Sequence, residues 1–585
     1  MRICGRLRAA SFYELFEKFY PCHMDFKGLT AYLRYNHVGY ACRAPKHFFV
    51  AINEGEPLEI AAGNHALAEG YFTFSAEDID VVSGPKFQIV SEAGEVALEG
   101  NLAYRGPCEY SGEVLLVGDF SALTAPGRYK ICCGTESHFF EISDRWLLSQ
   151  LDANIKSFYF QRSGVELKPD TAGKWARPLA HLDCQIGFHP SMNREGTWNA
   201  HGGWYDAGDY GKYIVNGGVS VATLMLALEL GSAKVAPSLS ALRDEIRFEL
   251  EFFLRMQDND GGVFFKVSPE HWDTFVTPTV SDHNQKRVVL GKSTTSTLNF
   301  AAALAQAHRV FAKTDPDFAK ACLSAAVKAY RWAEENFDVG FPPYTEGSGP
   351  YGDARYSDEF FWARAMLFRE MGDMPLEDCI QVHDQLYQDM ADMPARPDIN
   401  WHDTENLAYI ALALQDSDLE LRDRAREALE HEADKIVALA TEDAYGVALR
   451  YFPWGSNGVL ANYALTLLVV KSWKDKPEYL NAAFAQVDFI YGRNPVNVSF
   501  VTGSAWSSPM FPHHRLSGAD GIVDPIPGLV VGGINADRQD KHREPHYPSA
   551  LPGFGYTDEQ VSFASNEVAI NWSAPLTTVL ALLCV

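Results

Sequence analysis

No stretch of this 585-residue chain runs to about 18 apolar residues without interruption, so no membrane-spanning helix is expected. Positive charge is scarce: 50 Lys and Arg stand against 76 Asp and Glu, a formal net charge of −26. A phosphate backbone needs a basic face, so nucleic acid is not an expected partner. Cysteine is thin too. The 10 cysteines include no Cys-x-x-Cys pair, and Cys132-Cys133 are neighbours, which excludes a disulfide framework and points to reduced, mostly buried thiols. The segment Met1 to Arg8 is basic but lacks the run of about 7–15 apolar residues that a secretory signal requires, and Glu14, Glu17 and Lys18 interrupt the next segment. The expectation is a cytoplasmic protein, with residues 1–24 an extension and Met24 an alternative start. Low-complexity segments and clean repeats are missing as well.

What is present is a soluble globular balance, 47% hydrophobic and 22% charged, with an aromatic content of 13% that serves either extra core or a sugar-stacking cleft. From about residue 25 to 143 the pattern is short and β-like. His47–Ile52, Tyr71–Phe74, Phe87–Val90, Glu113–Val117 and Arg128–Ile131 are β-branched and aromatic, with turn signals such as Ser83-Gly84-Pro85 and Ala125-Pro126-Gly127 between them. That spacing predicts a β-sandwich. From about residue 144 to 585 helical periodicity takes over. It is clearest over Ala241–Gln257, where Leu242, Ile246, Leu250 and Phe253 share one face. Eleven or twelve helices are expected, including Ser296–Phe311, Asp358–Met371 and Asn566–Leu583, with no strands convincingly interleaved. An even set of this size fits a toroid of paired helices with the functional loops at one end.

Four stretches could carry chemistry. Gly202 to Tyr213 places Asp206 and Asp209 among Gly, Trp204, Tyr205, Tyr210 and Tyr213. Two close carboxylates suit a base that activates water, with a calcium loop or a plain turn as the rival. Glu567 enters an apolar run, where burial would raise its pKa toward what a general acid needs, the alternative being a helix-start glutamate. Tyr491 to Arg515 brings His513 and Arg515 into a Gly/Pro-rich loop offering donors to hydroxyl groups. Phe452 to Asn457 presents Trp454 as an aromatic ledge before a helix cap.

Together these stretches resemble glycoside hydrolase family 9, the inverting cellulase family with an (α/α)6 toroid. The match to Gly-Gly-Trp-Tyr-Asp-Ala-Gly-Asp-Tyr-Gly-Lys-Tyr is complete over residues 202–213; a second signature matches at Asp558, Phe563, Glu567 and Ala569 and departs at Ser573. Arg255–Val263 with Lys266-Val267 is similar, and Leu33–Tyr40 with Pro45-Lys46 resembles the opening strand of the immunoglobulin-like module preceding many members. The resemblance implies an immunoglobulin-like β-sandwich (25–143) followed by an all-α catalytic toroid (144–585). It implies Asp209 as base, Asp206 holding the attacking water and Glu567 as acid. Trp204, Tyr205, Trp454, His513, Arg515 and Tyr556 become sugar contacts. No cofactor is required for the chemistry, and a structural calcium at Asp358, Glu359 and Asp403 is implied, with a plain acidic helix start at Asp358-Glu359 as the alternative. The cysteines that hold zinc in some members align with Ser163 and Ala180, leaving His181, Cys184 and His189 as a weak substitute. The expected partner is an oligosaccharide or polysaccharide of β-1,4-linked glucose units. An exo-β-glucosaminidase on chitosan-type oligosaccharides is the alternative, and a non-catalytic carbohydrate-binding protein is the rival of another class.

Overall fold

The computed structural model describes residues 30–53, 64, 66, 67, 71–73, 79, 80, 84–340, 344–373 and 376–584. The expected extension 1–24, Met24 and Phe74 lie outside them.

Two antiparallel-dominated sheets form the first unit. One carries the strands Tyr71–Thr73, Thr30–Arg34, His47–Asn53, Glu113–Asp119 and Ala103–Cys108 in that spatial order. The other is built on Gly84–Ser91, Gly127–Cys133 and Phe140–Ile142. The strand His47–Asn53 is apolar on both faces, and the period-2 alternation of a strand shows why. Phe48, Val50 and Ile52 point into the sandwich core with Leu33, Phe87, Ile89, Leu116 and Ile131. Phe49 and Ala51 point the other way and join the core of the helical unit. There the Phe49 ring meets Tyr445 edge-on at 5.6 Å.

Polar groups lock the same interface. Buried Arg34 pairs with buried Glu113 at 3.4 Å, and Tyr445 donates to the other Glu113 oxygen at 2.7 Å. Arg105 donates to the carbonyls of Ala440 and Thr441 in the last turn of the helix Leu419–Glu442 and to those of Asp443 and Ala444 just beyond it.

Twelve helices of nine residues or more come next among the described residues: α1 (Arg145–Gln161), α2 (Ile214–Leu230), α3 (Ala236–Met256), α4 (Thr294–Phe311), α5 (Pro316–Glu335), α6 (Ser357–Phe368), α7 (Leu376–Asp392), α8 (Glu405–Ala413), α9 (Leu419–Glu442), α10 (Ser456–Lys471), α11 (Pro477–Ile490) and α12 (Ile570–Leu583). The even-numbered helices line the inside of a ring that closes where α12 packs on α2; each odd-numbered helix packs outside an even one, α1 on α12. Inner helices are apolar all round, and every residue of α8 is buried; outer ones such as α3 and α5 have one apolar face. This is the expected toroid behind a sandwich. No single helix among the described residues is long and apolar enough to cross a membrane.

Three expectations are corrected. Helix α7 is absent from the helices expected above, although Cys379, Val382, Leu386 and Met390 recur at helical spacing and Val382 and Leu386 are buried anchors one turn apart. Strands do interleave: Thr197–Trp198, Ile186–Phe188, Arg287–Lys292, Phe264–Pro269 and Lys212–Tyr213 form a five-stranded sheet at one end of the ring. Their shortness, two to six residues, hides them. Third, Glu567 is not a helix-start residue. The chain is extended there, bridged to His513 and, at Val568, to Val531, and α12 begins at Ile570.

Candidate active site

The loop from Ala200 to Tyr213 is pinned by two buried cations sharing Asp183. Lys212 contacts Asp183 at 2.7 Å and donates to the carbonyls of Ala200 and Gly202; Arg287 contacts Asp183 at 3.0 Å and donates to the carbonyl of Tyr210. A β-carbon on Gly208 would stand 2.1 Å from the carbonyl oxygen of His513 and 3.0 Å from Oε1 of Glu567. Only glycine lets this backbone lie against the extended Glu567 segment, and that contact brings together acids 358 residues apart in number, 567 minus 209.

Asp206 is buried. Its Oδ2 accepts from Asn216 at 3.0 Å and from the Tyr351 hydroxyl at 2.8 Å, while Oδ1 has no protein partner. Burial raises its pKa to about 7 against those two hydrogen bonds, with the Asp209 charge adding to the rise. Asp209, half-buried, accepts from the amide of Gly211 at 2.6 Å. Burial raises it as well, opposed by Arg515, Lys266 and Arg287. Glu567 is pushed up to about 8 by burial and then by the Asp209 carboxylate, against the pull of Arg515. At neutral pH the site therefore holds a proton, and Glu567, at about 8, keeps it more firmly than Asp206, at about 7.

Asp209 and Glu567 face one cavity of about 720 Å³. Its walls include Trp272, Tyr351, Trp401, Trp454 and Trp572, and the polar side chains of Asp398, Asn400, His402, Asp537 and Gln539. Trp454 is 41% exposed, leans on Phe563 and lines the cavity. His513 uses Nδ1 on the carbonyl of Gln560 at 2.6 Å, and burial lowers its pKa to about 4, so Nε2 of a neutral ring is left as an acceptor.

Four sugar contacts expected from sequence are corrected. Trp204 and Tyr205 are each 1% exposed and lie behind the loop; Trp204 packs on Phe158 and Tyr205 bonds His181 at 2.7 Å. Tyr556 is 0% exposed and donates to Asn566 at 2.8 Å. Arg515 is buried and spends its guanidinium on the carbonyls of Asp273 and Gly208, so it acts on the carboxylates through its charge. These side chains are scaffolding because the loop that carries Asp206 and Asp209 needs a rigid apolar back.

Tyr351, Trp401 and Trp272 are site residues that sequence reasoning does not single out. Gly349-Pro350-Tyr351-Gly352 has the same Gly-plus-aromatic make-up as the loop around Asp209, and that is the available signal.

The expected calcium residues sit at the foot of α6. Asp358 accepts from the backbone and hydroxyl of Thr404 and pairs with Arg355, which also reaches Asp403 at 2.8 Å. Glu359 is 0% exposed with neither carboxylate oxygen bonded, and its pKa is raised well above the usual range by burial and by Asp358 and Asp353. Among the described residues no three His, Cys, Asp or Glu side chains are already gathered as a metal cage. The weak zinc alternative fails on geometry: His181 binds Tyr205 and Ser281, His189 binds Ser191, and Cys184 is exposed.

Comparison with known proteins gives the family and the two-unit architecture. The model for glycosyl hydrolase family 9 matches residues 149–580, and that for the cellulase N-terminal ig-like domain matches residues 30–138. A xyloglucan-specific endo-beta-1,4-glucanase from Bacteroides ovatus is 35% identical over 552 residues, covering 87% of this chain and 91% of that protein. A cellodextrinase from Butyrivibrio fibrisolvens is 29% identical over 567 residues, 92% of this chain and 97% of its own. The crystal structure of a metagenome-derived glycoside hydrolase family 9 endoglucanase superposes with a TM-score of 0.82 at 32% identity, covering 95% of this chain and 99% of that one.

Proposed function

The chain belongs to glycosyl hydrolase family 9 and is a glycosidase, and from that premise we propose that it cleaves β-1,4-linked glucan chains by single displacement, with Asp209 as base and Glu567 as acid. The observation that carries this reading is the division of labour between two half-buried carboxylates on one cavity: Glu567, held protonated up to about pH 8, and Asp209, which three cations draw back toward the ionised form. Asp209 takes a proton from water as its oxygen attacks the anomeric carbon. Glu567 gives its proton to the departing glycosidic oxygen, and the new hydroxyl has the opposite anomeric configuration. The free Oδ1 of Asp206 supplies a second acceptor for that water, while Tyr351 and Asn216 fix the carboxylate through Oδ2. Nε2 of His513 accepts a sugar hydroxyl, and Trp454 offers a ring face to a pyranose.

Proton NMR of the first product from a soluble β-1,4-gluco-oligosaccharide tests the reading. The α-anomer is expected before mutarotation; a β-anomer would sink the single-displacement assignment. Chitosan oligosaccharides assayed in parallel test the aminosugar alternative, which predicts faster release from them.

The foot of α6 has the donor chemistry of a calcium site. Asp358, Glu359 and Asp403 would hold the ion, and the unbonded buried oxygens of Glu359 are the observation that fits it. The ion would offset the carboxylate charge there and tie α6 to the 398–405 loop lining the cavity, taking no part in the reaction.

A further inference from the structure

Lys266 lies on the strand Phe264–Pro269, opposite Tyr213 at the end of the catalytic loop. It is 0% exposed. Its ammonium donates to the carbonyls of Gly349 at 2.9 Å and Tyr344 at 3.1 Å, with that of Ser348 at 3.5 Å. The Gly349 carbonyl also accepts from the Tyr213 hydroxyl at 2.8 Å. Two residues along the same loop, Tyr351 reaches Asp206. Burying an ammonium costs several kcal/mol unless its charge and donors are used, and an apolar residue could have filled this space without that cost. Here the donors stitch one cleft loop to the strand beside another, and the charge acts through space on Asp206 and Asp209.

The groups around the pair come from several elements. Lys266 from the strand, Arg287 from its neighbour and Arg515 from the short helix Arg515–Gly518 act on Asp209 as cations. Asp209 raises both Glu567 and Asp206, Asp206 also raises Glu567, and Tyr213 and Tyr351 border them. Lys266 is in turn held up by Asp209 and Asp206 and lowered by burial, to about 7.

We propose that Lys266 is a positioning residue for hydrolysis: it ties the 344–352 loop to the catalytic loop so that Tyr351 meets Asp206, and its charge keeps Asp206 and Asp209 in the form that activates water. This rests on the roles given to those aspartates above.

The test uses the full chain, a soluble β-1,4-gluco-oligosaccharide and three variants, with circular dichroism to establish folding. Lys266→Gln removes the charge and keeps a donor. Its kcat should fall about 10- to 100-fold, the scale of a lost charged hydrogen bond, with KM within about threefold. The acid limb of its pH profile should move to higher pH. Lys266→Arg keeps the charge but cannot seat a planar fork on the same carbonyls, so its acid limb should stay while kcat falls. Tyr351→Phe should cost much less in the Lys266→Gln background than alone. An unmoved acid limb with unchanged kcat in Lys266→Gln overturns the proposal. If that variant does not fold, Lys266→Arg decides, and full kcat there overturns it equally. Asp209→Asn, measured alongside, tests the base: if it is inactive while the Lys266 variants behave as wild type, only the present inference falls.

Discussion

The hydroxyl of Tyr351 stands 2.8 Å from Oδ2 of Asp206, reached from a backbone φ of +44° at the tyrosine. A bulky residue in the left-handed region costs about 1–3 kcal/mol and persists only where its surroundings enforce it. The strain is spent on aiming one donor at a buried carboxylate and leaving that carboxylate's other oxygen open to water.

Tyr351→Phe should therefore lower kcat about 10- to 100-fold through loss of a hydrogen bond to a charged acceptor, with little change in KM. Steady-state kinetics on a cello-oligosaccharide checks this. A kcat within twofold of wild type would show that Asp206 needs no such partner.

The pH profile of kcat/KM should fall on the alkaline side near pH 8, where Glu567 loses the proton it must donate. The sign for stability runs the same way. A carboxyl whose folded pKa is raised binds more protons folded than unfolded, so it weakens the fold as pH rises from about 4.5 through about 8. Glu567→Gln should abolish turnover and yet raise Tm relative to wild type at pH 8, with the gain shrinking at pH 5. Differential scanning calorimetry at the two pH values measures it; an equal or lower Tm at pH 8 would contradict the assigned burial.

Glu113→Ala should destabilise the protein strongly, by about 3–5 kcal/mol, because it strands Arg34 uncompensated at 0% exposure between the two units. A fall in the urea midpoint shared by β-sandwich and toroid signals is the expected result. Separate transitions would mean that the interface does not couple them.

Adding calcium to chelator-treated protein should raise Tm, and Glu359→Gln should remove most of that response while leaving the calcium-free Tm unchanged or higher. A calcium response that survives Glu359→Gln would place the ion elsewhere.

Trp454→Ala should raise KM several-fold with kcat nearly intact, the loss of one ring face worth about 1 kcal/mol. Unchanged KM for every chain length tried would remove Trp454 from the substrate path.

Much of the fold is readable along the chain. The β-branched and aromatic run His47–Ile52 and the helical face of Leu242, Ile246, Leu250 and Phe253 are local signals that survive in isolation. Helix α7 carries as strong an apolar stripe as α5 and is readable in principle, whereas the five-stranded sheet is hidden because its strands run only two to six residues. Among site residues, Asp209 and Glu567 stand out by their settings. Trp204, Tyr205 and Tyr556 mislead because aromatic content near a catalytic loop serves the floor of a cleft as readily as its face.

The sequence by itself determined the layering, the family resemblance and which acids to suspect, since these come from local periodicity and from residue types at fixed spacing. Tertiary structure alone decided what each group does. It set Gly208 against the His513–Glu567 bridge, buried Glu567 until it holds its proton, turned Arg515 from a sugar donor into a fixed charge, and brought Tyr351 and Lys266 to Asp206. Burial and distance fix pKa and orientation, and neither is a property of a position in a string of residues.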